Sequence, residues 1–232
     1  RGDIEEDVSD RIWALMGQAV HEVLEKAEPT AKVEERLFSE YDGWVVAGQY
    51  DRQTVSGKTL QDYKFTSVWE VIHGLKPERE AQLNILRSLA NRNGYHVEHL
   101  EIVAIFRDWQ KAKAKFDKSY PQSQVMRIKV PVWDESHTLE YMSERIRLHK
   151  AAQNGVMVLC TEDDRWAVPD KWAVRKKQNK KATKLHNSIR LAEEHAETNK
   201  DFVVDHRPGE NKRCADYCSV APFCDQYKKL KG

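Results

Sequence analysis

Trp44-Val45-Val46-Ala47-Gly48-Gln49-Tyr50-Asp51 and, after the turn Ser56-Gly57-Lys58, Thr59-Leu60-Gln61-Asp62-Tyr63-Lys64-Phe65 are the runs that decide the fold. Both are rich in β-branched and aromatic residues and turn chemistry separates them, so they predict a β-hairpin. Side chains two apart in a strand point the same way, which puts Asp62 and Lys64 on one face. Burying Asp51, Asp62 and Lys64 at strand ends costs on the order of several kcal/mol without compensation. A divalent cation would compensate them.

Outward from the hairpin, residues 11–27 predict a helix, with Ile12, Leu15, Met16, Ala19, Val20, Val23 and Leu24 recurring near a 3.6 period. Gly17 and His21 lie four apart beside that stripe, so His21 can reach inward past a small residue. Pro29 helps end the helix, and a third strand is expected at 33–39. After Pro77 a helix through residue 91 precedes Gly94, a natural left-handed cap. Strands are expected at 96–106 and 125–133, and a helix at 139–152. A helix between two strands implies a crossover, hence an α/β fold with a mixed sheet. Residues 161–179 lack clean periodicity and predict an irregular surface segment, followed by a helix over about 180–198.

The chain has 232 residues, 40% hydrophobic, enough to fill one core. Lys and Arg total 38 against 37 Asp and Glu, so net charge selects no partner. Local charge does: Lys171, Arg175, Lys176, Lys177, Lys180, Lys181 and Lys184 meet no acid between them, a candidate phosphate-contacting surface or a solvated face. Asp3, Glu5, Glu6, Asp7 and Asp10 make the amino-terminal end acidic. No apolar stretch approaches the roughly 20 residues of a bilayer span, and no signal pattern opens the sequence, which predicts an intracellular protein without a membrane partner. The four cysteines, Cys160, Cys214, Cys218 and Cys224, are few for a disulfide scaffold and suit metal or cluster ligation.

Magnesium and manganese prefer oxygen ligands, and a nuclease holds them with a few carboxylates so that phosphate and water complete the shell. Asp51 and Asp62 supply carboxylates, and the Tyr63 carbonyl a third oxygen. Lys64 would position water and stabilise charge growing on the phosphate. His21 adds a nitrogen that manganese tolerates better than magnesium. Glu34 would orient water or a ligand. Each residue has a plainer reading: a D-x-K triplet recurs by chance, His21 can be a packed helix residue, and Glu34 a solvated edge residue.

Taken in order, Gly17-x-x-x-His21, Gly48-Gln49-Tyr50-Asp51, Asp62-Tyr63-Lys64, Gln82-Leu83-Asn84-Ile85-Leu86 and Asn93-Gly94-Tyr95 resemble the successive motifs of RecB-like nucleases of the PD-(D/E)XK superfamily, over about residues 11–107. The resemblance implies a restriction-endonuclease-like core, with metal binding by His21, Asp51 and Asp62, catalysis by Lys64, and Gln82 near the active site. Leu86 stands where that family often has tyrosine. Cys214, Cys218 and Cys224 resemble the carboxyl-terminal cysteine triplet of CRISPR-associated adaptation nucleases and related phage exonucleases, which bind a four-iron four-sulfur cluster. Here the fourth ligand would be Cys160, whereas in the adaptation nucleases it precedes the histidine motif, and the Cys214–Cys218 interval is one residue longer than theirs. On coordination grounds alone, zinc serves these thiolates equally well. The segment from Arg165 and Trp166 to Lys177 also looks like phage members of the group, where Trp166 or Trp172 could stack on a strand or pack the cysteine region.

The expected organisation is a nuclease core over 1–158 and a basic, cysteine-clasped region over 159–232 packed on it. The expected function is a magnesium- or manganese-dependent DNA exonuclease of recombination, repair or replication, in the cytoplasm of a bacterial or phage-infected cell, with DNA and a recombination or replication protein as partners. The alternative is a non-catalytic DNA-binding module on the same fold, ordered by its metal or iron–sulfur site.

Overall fold

The computed structural model describes residues 7–27 and 31–231, so Asp3, Glu5, Glu6 and the helix-ending Pro29 lie outside them. The described chain divides into two compact units, one ending at Val156 and one beginning at Met157. No helix among the described residues is long and apolar enough to cross a membrane.

In chain order the first unit contains α1 (Ile12–Ala27), β1 (Lys32–Tyr41), β2 (Trp44–Gln53), β3 (Thr59–Thr66), α2 (Trp69–Ile72), α3 (Pro77–Arg92), β4 (His99–Phe106), α4 (Lys111–Phe116), β5 (Val125–Val130) and α5 (Glu135–Gln153). The strands form one sheet in the order β1-β2-β3-β4-β5. Neighbours are antiparallel except β3 and β4, which run parallel because α3 carries the chain across between them. This is the α/β architecture expected, a mixed central sheet flanked by helices.

β4 alternates in burial along its whole length, with Leu100, Ile102, Ala104 and Phe106 on the inner face. Leu83, Leu86, Leu89 and Ala90 of α3 join that face in one apolar core. Pro77 starts α3 where its missing N–H costs nothing, and Gly94 (φ 86°) follows the C-cap. Asn84, fully buried in the same helix, donates to the Glu80 and Pro131 carbonyls and accepts from the Trp133 N–H, so this polar residue is spent on the fold.

The opposite face receives α1, and the side it buries lies at the edge of its apolar stripe rather than at the centre. Gly17, Val20, His21 and Leu24 are half-buried, and Ile12, Leu15, Met16 and Val23 are exposed. The stripe is therefore split rather than wholly buried.

The second unit holds α6 (Glu162–Arg165), β6 (Ala167–Val168), β7 (Lys171–Lys176), β8 (Lys184–His186), α7 (Ile189–Glu197), β9 (Phe202–Arg207), β10 (Glu210–Asn211), α8 (Lys212–Asp216) and α9 (Asp225–Lys231). β8-β7-β9 form an antiparallel sheet against which α7 packs, and β6 pairs with β10. Two expectations are corrected here. Residues 171–176 are a central strand rather than irregular chain, because consecutive Ala173 and Val174 are both fully buried and so erase the alternation that marks a strand. The helix expected from about 180 begins at Ile189, where the Ser188 hydroxyl caps the Leu191 N–H.

Gly48 is where α3 meets β2: a Cβ there would lie 2.6 Å from Leu86 Cδ2 and 2.9 Å from Leu89 Cδ1. Gly48→Ala should therefore lower stability by about 1–3 kcal/mol, read as a lower urea midpoint at unchanged m value. Adding Leu86→Ala should cost less than the sum of the two single changes. Additive effects would show that Leu86 does not set the helix–strand distance.

Candidate functional site

β2 and β3 pair at Arg52–Gln61 and Gln53–Leu60 and then separate. Continuing that register places Asp51 opposite Asp62, and in the opening the Asp51 carboxylate accepts the Tyr63 N–H at 2.6 Å. A side chain thus takes a hydrogen bond at the point where strand pairing stops. The β1–β2 ladder is interrupted at the same level: Val33 pairs with Arg52 and Glu35 with Tyr50, whereas Glu34 and Asp51 between them do not pair. Glu34 has φ 51°, a left-handed conformation that costs a non-glycine residue roughly 1–3 kcal/mol.

That conformation aims the Glu34 carboxylate at His21 of α1, with Oε1 3.5 Å from Nδ1 and Oε2 held by Gln49 Nε2 at 2.6 Å. Asp51 Oδ1 is 3.6 Å from the same Nδ1. The other ring nitrogen, Nε2, lies 3.1 Å from the Tyr63 carbonyl oxygen. A carbonyl only accepts, so Nε2 carries a proton. Nδ1 faces the Glu34 and Asp51 carboxylates. One donor atom each from His21, Glu34 and Asp51 lies within 4.8 Å of the others, the only such group of three among the described residues.

Asp62 stands apart from this trio. It is 3% exposed, with Lys64 Nζ at 2.7 Å from Oδ1 and 2.6 Å from Oδ2, and Gln82 Nε2 donating to Oδ1 at 3.3 Å. Oδ2 has no well-angled donor, which leaves it acceptor capacity for a further partner. The Tyr63 carbonyl, expected to face a cation, accepts from His21 instead. Nitrogen and carboxylate donors with spare acceptor capacity fit magnesium or manganese.

An open cleft of about 870 Å³ runs past these groups, lined by Gly17, His21, Glu34, Gln49, Tyr63 and Lys64 among others. A Cβ on Gly17 would meet nothing within 4 Å, so its smallness leaves the cleft open beside His21. Glu35, next to Glu34, faces the other way. Tyr50 and Tyr95 both donate to it at 2.6 Å, and these hydrogen bonds hold its carboxyl below the usual range. The Asn93-Gly94-Tyr95 motif thus ties the end of α3 to β1. Gln49 was given no role in the sequence, although it shares a strand face with Asp51 and so was placed to reach the same site.

In the second unit the four cysteines are free thiols. Burial first, and then the neighbouring Cys218, Cys160 and Cys224, push the Cys214 thiol up, so all four lie in one locality. The Cys160 N–H donates to Oε1 of the Gln226 side chain on α9 at 2.9 Å, and Gln226 Nε2 donates back to the Cys160 carbonyl at 2.8 Å. No three of the sulfurs converge within 4.8 Å, a looser grouping than the roughly 3.8 Å sulfur spacing around one tetrahedral zinc. Trp166 packs against Tyr217 and under Arg213, beside the cysteine segment, and Trp172 packs against His206. In the basic run Arg175 is paired with Asp205, and Lys171 and Lys177 donate to Asn187 and to the Lys200 carbonyl. Among the described residues, no acid forms an ion pair with Lys176, Lys180, Lys181 or Lys184.

No family model matches the chain, and no curated protein matches it. Among solved structures it is similar to the crystal structure of SSO0001, at 20% identity over 58% of this chain and 60% of that one, TM-score 0.41. It is also similar to a "Putative exonuclease" from Eubacterium rectale, at 13% identity over 63% of this chain and 55% of that one, TM-score 0.40. The match spans less than two thirds of either neighbour, and likeness at this level leaves the function to be argued from the site.

Burial, and then the nearby Asp62 charge, raise the Asp51 carboxyl from 3.8 to about 6. A raised acid stabilises the fold below its unfolded value and loses that contribution as pH rises through the folded value. In chelator, Asp51→Asn should match wild type near pH 4 and be more stable by roughly 1–3 kcal/mol at pH 7. Manganese should close the gap by stabilising only wild type. Equal stability at both pH values would remove the charge conflict assigned to Asp51.

Proposed function

We propose that the protein is a divalent-metal-dependent nuclease hydrolysing phosphodiester bonds in DNA, of the exonuclease type used in recombination, repair or replication. The observation that carries this reading is the convergence of His21 Nδ1, Glu34 and Asp51 on one point beside a buried Asp62–Lys64 pair. His21, Glu34 and Asp51 would hold magnesium or manganese, and Asp62, whose charge acts on Asp51, has an oxygen with acceptor capacity left. Such an ion, when bound, polarises the phosphate and makes bound water more acidic.

The remaining work falls to the chain. Lys64 presents an ammonium to the charge that grows on the phosphate, and Asp62 and Gln82 keep it in place. Glu34, fixed by Gln49, orients the attacking water. Water oxygen bonds to phosphorus and gives up a proton, the ester P–O bond breaks, and the leaving oxygen takes up one proton in return. A decayed nuclease retained only for binding would be expected to lack an acid or the lysine, and Asp51, Asp62 and Lys64 are all present. In the second unit Lys176, Lys180, Lys181 and Lys184 are among the cations available to DNA phosphates.

For Cys160, Cys214, Cys218 and Cys224 we propose a four-iron four-sulfur cluster with a structural role. What supports a shared group is that all four thiols lie in one locality, and a zinc ion would draw on the same thiolates.

Two sets of variants test these readings. Lys64→Ala and Asp62→Asn should each slow cleavage of end-labelled DNA by about a hundredfold or more, with the fold retained by circular dichroism. Turnover near wild type in either purified variant would dismiss the site. Protein purified without oxygen should be brown and contain iron and sulfide in equal amounts, and Cys218→Ser should bleach it and lower its melting temperature. Colourless protein carrying one zinc would assign the cysteines to zinc, and protein with neither would assign them no metal.

A further inference from the structure

Two half-exposed tryptophans neighbour cleft-lining residues in sequence, and contacts made by Arg107 and Asp108 link the segments that carry them. Trp13 is 52% exposed and precedes Ala14, which lines the cleft, and the Arg107 guanidinium covers its ring at 4.4 Å. Trp69 is 56% exposed and stacks on His73 with ring centres 5.1 Å apart and planes 11° from parallel. The Arg107 N–H donates to the Thr66 carbonyl at 2.9 Å, one residue beyond Phe65, another cleft residue. Asp108 then accepts from the Ser67 hydroxyl at 2.5 Å and the Val68 N–H at 2.9 Å, fixing the start of the Trp69 helix to the same strand end.

Each indole therefore has a cationic or imidazole partner on one face and is about half open. Held this way, each ring keeps a flat face open to an external partner. A nucleobase is the flat partner that such a ring takes when a phosphate backbone runs alongside. The cations needed beside it are present: residues 107–118 carry Arg107, Lys111, Lys113, Lys115 and Lys118, and one of their two acids, Asp108, is bound to Ser67 and Val68. Bases inside a duplex are already stacked on each other, and only the pair at each end has a free face, whereas every base of an unpaired strand can turn a face to an indole.

We propose that Trp13 and Trp69 are stacking platforms for the bases of an unpaired DNA strand whose phosphate lies at Lys64 in the cleft. This rests on the nuclease reading and makes a single-stranded end the preferred substrate class. The platforms belong to the β3–β4 end of the first unit, and the residues that hold the rings, Arg107 and His73, position them without touching the reacting phosphate.

The test is binding by the full chain in chelator, where nothing is cut, to an end-labelled oligothymidine and to a blunt duplex of equal length. Trp13→Ala and Trp69→Ala should each lower the ratio of single-strand to duplex affinity by about fivefold or more, the lower end of what one stacked base contributes. Trp13→Phe and Trp69→Phe should keep the ratio within about twofold, because a smaller ring still stacks. A 2-aminopurine placed along the strand should lose emission on binding wild type and keep it with the double alanine variant. That quenching, together with the phenylalanine variants, decides the matter even if an alanine variant misfolds. An unchanged ratio in folded alanine variants, or no quenching with wild type, would overturn the platforms. The two readings fail separately: DNA cut by wild type with manganese but with no quenching removes only the platforms, and quenching without any cleavage removes only the nuclease.

Discussion

Everything at the candidate site follows from forcing groups that only accept hydrogen bonds into the space where β2 and β3 part. Asp51 takes the Tyr63 N–H at that fork, and His21 and Glu34 approach Asp51 from the other side. Burial and the nearby Asp62 charge raise the Asp51 carboxyl to about 6, so the metal-free arrangement is electrostatically unfavourable at neutral pH. A fold keeps such a conflict only where something else supports it, and here the support is the Leu83, Leu86, Leu89 and Leu100 core under the sheet. The left-handed Glu34 adds to the load at the same level of the sheet. Strain, a broken ladder and like charges coincide within a few residues, and a bound cation would relieve the charge part of that load at once.

Strand alternation lets neighbouring residues do unrelated work there. Glu34 and Glu35 are adjacent and chemically identical, yet Glu35 is tied to Tyr50 and Tyr95 as part of the framework and Glu34 faces the cleft. Lys64 and Asp62, two apart, do the reverse and share a face as an ion pair. The pair has two consequences. It lowers the cost of burying Asp62, and it holds the ammonium against a carboxylate that has acceptor capacity left over.

The sequence was most readable where one physical signal dominated. The hairpin, α3 and the crossover follow from β-branched runs, Pro77, Gly94 and a helical apolar stripe, and the structure places them within a few residues of expectation. Gly48 was visible as part of a motif, but its reason, the close passage of Leu86, exists only in three dimensions. Glu34 had two readings in the sequence, and only its positive φ and its place opposite Asp51 favour the cleft. The second unit was least readable. Buried neighbours Ala173 and Val174 hid a central strand, and the lysines around it resembled a solvated face. The rotation of α1 was equally hidden, since its broad apolar stripe does not say that the buried side lies at the stripe's edge, around Gly17 and His21.

The two groups of reactive side chains are also confined, each to its own unit. His21, Glu34, Asp51, Asp62, Lys64 and Gln82 all precede Val156, and Cys160, Cys214, Cys218 and Cys224 all follow Met157. Cys160 and α9 close onto each other through Gln226, so any group shared by the cysteines would cross-link chain within the second unit, between its first residues and its last. Its loss would then act on the stability of that unit and on the lysines of β7 and β8, whereas the ionisation of Asp51 is set by its burial and then by Asp62, Tyr63, His21 and Lys64 within the first. A change in the cysteines that altered the pH dependence of Asp51 would therefore require coupling between the units beyond anything the local chemistry of either one supplies.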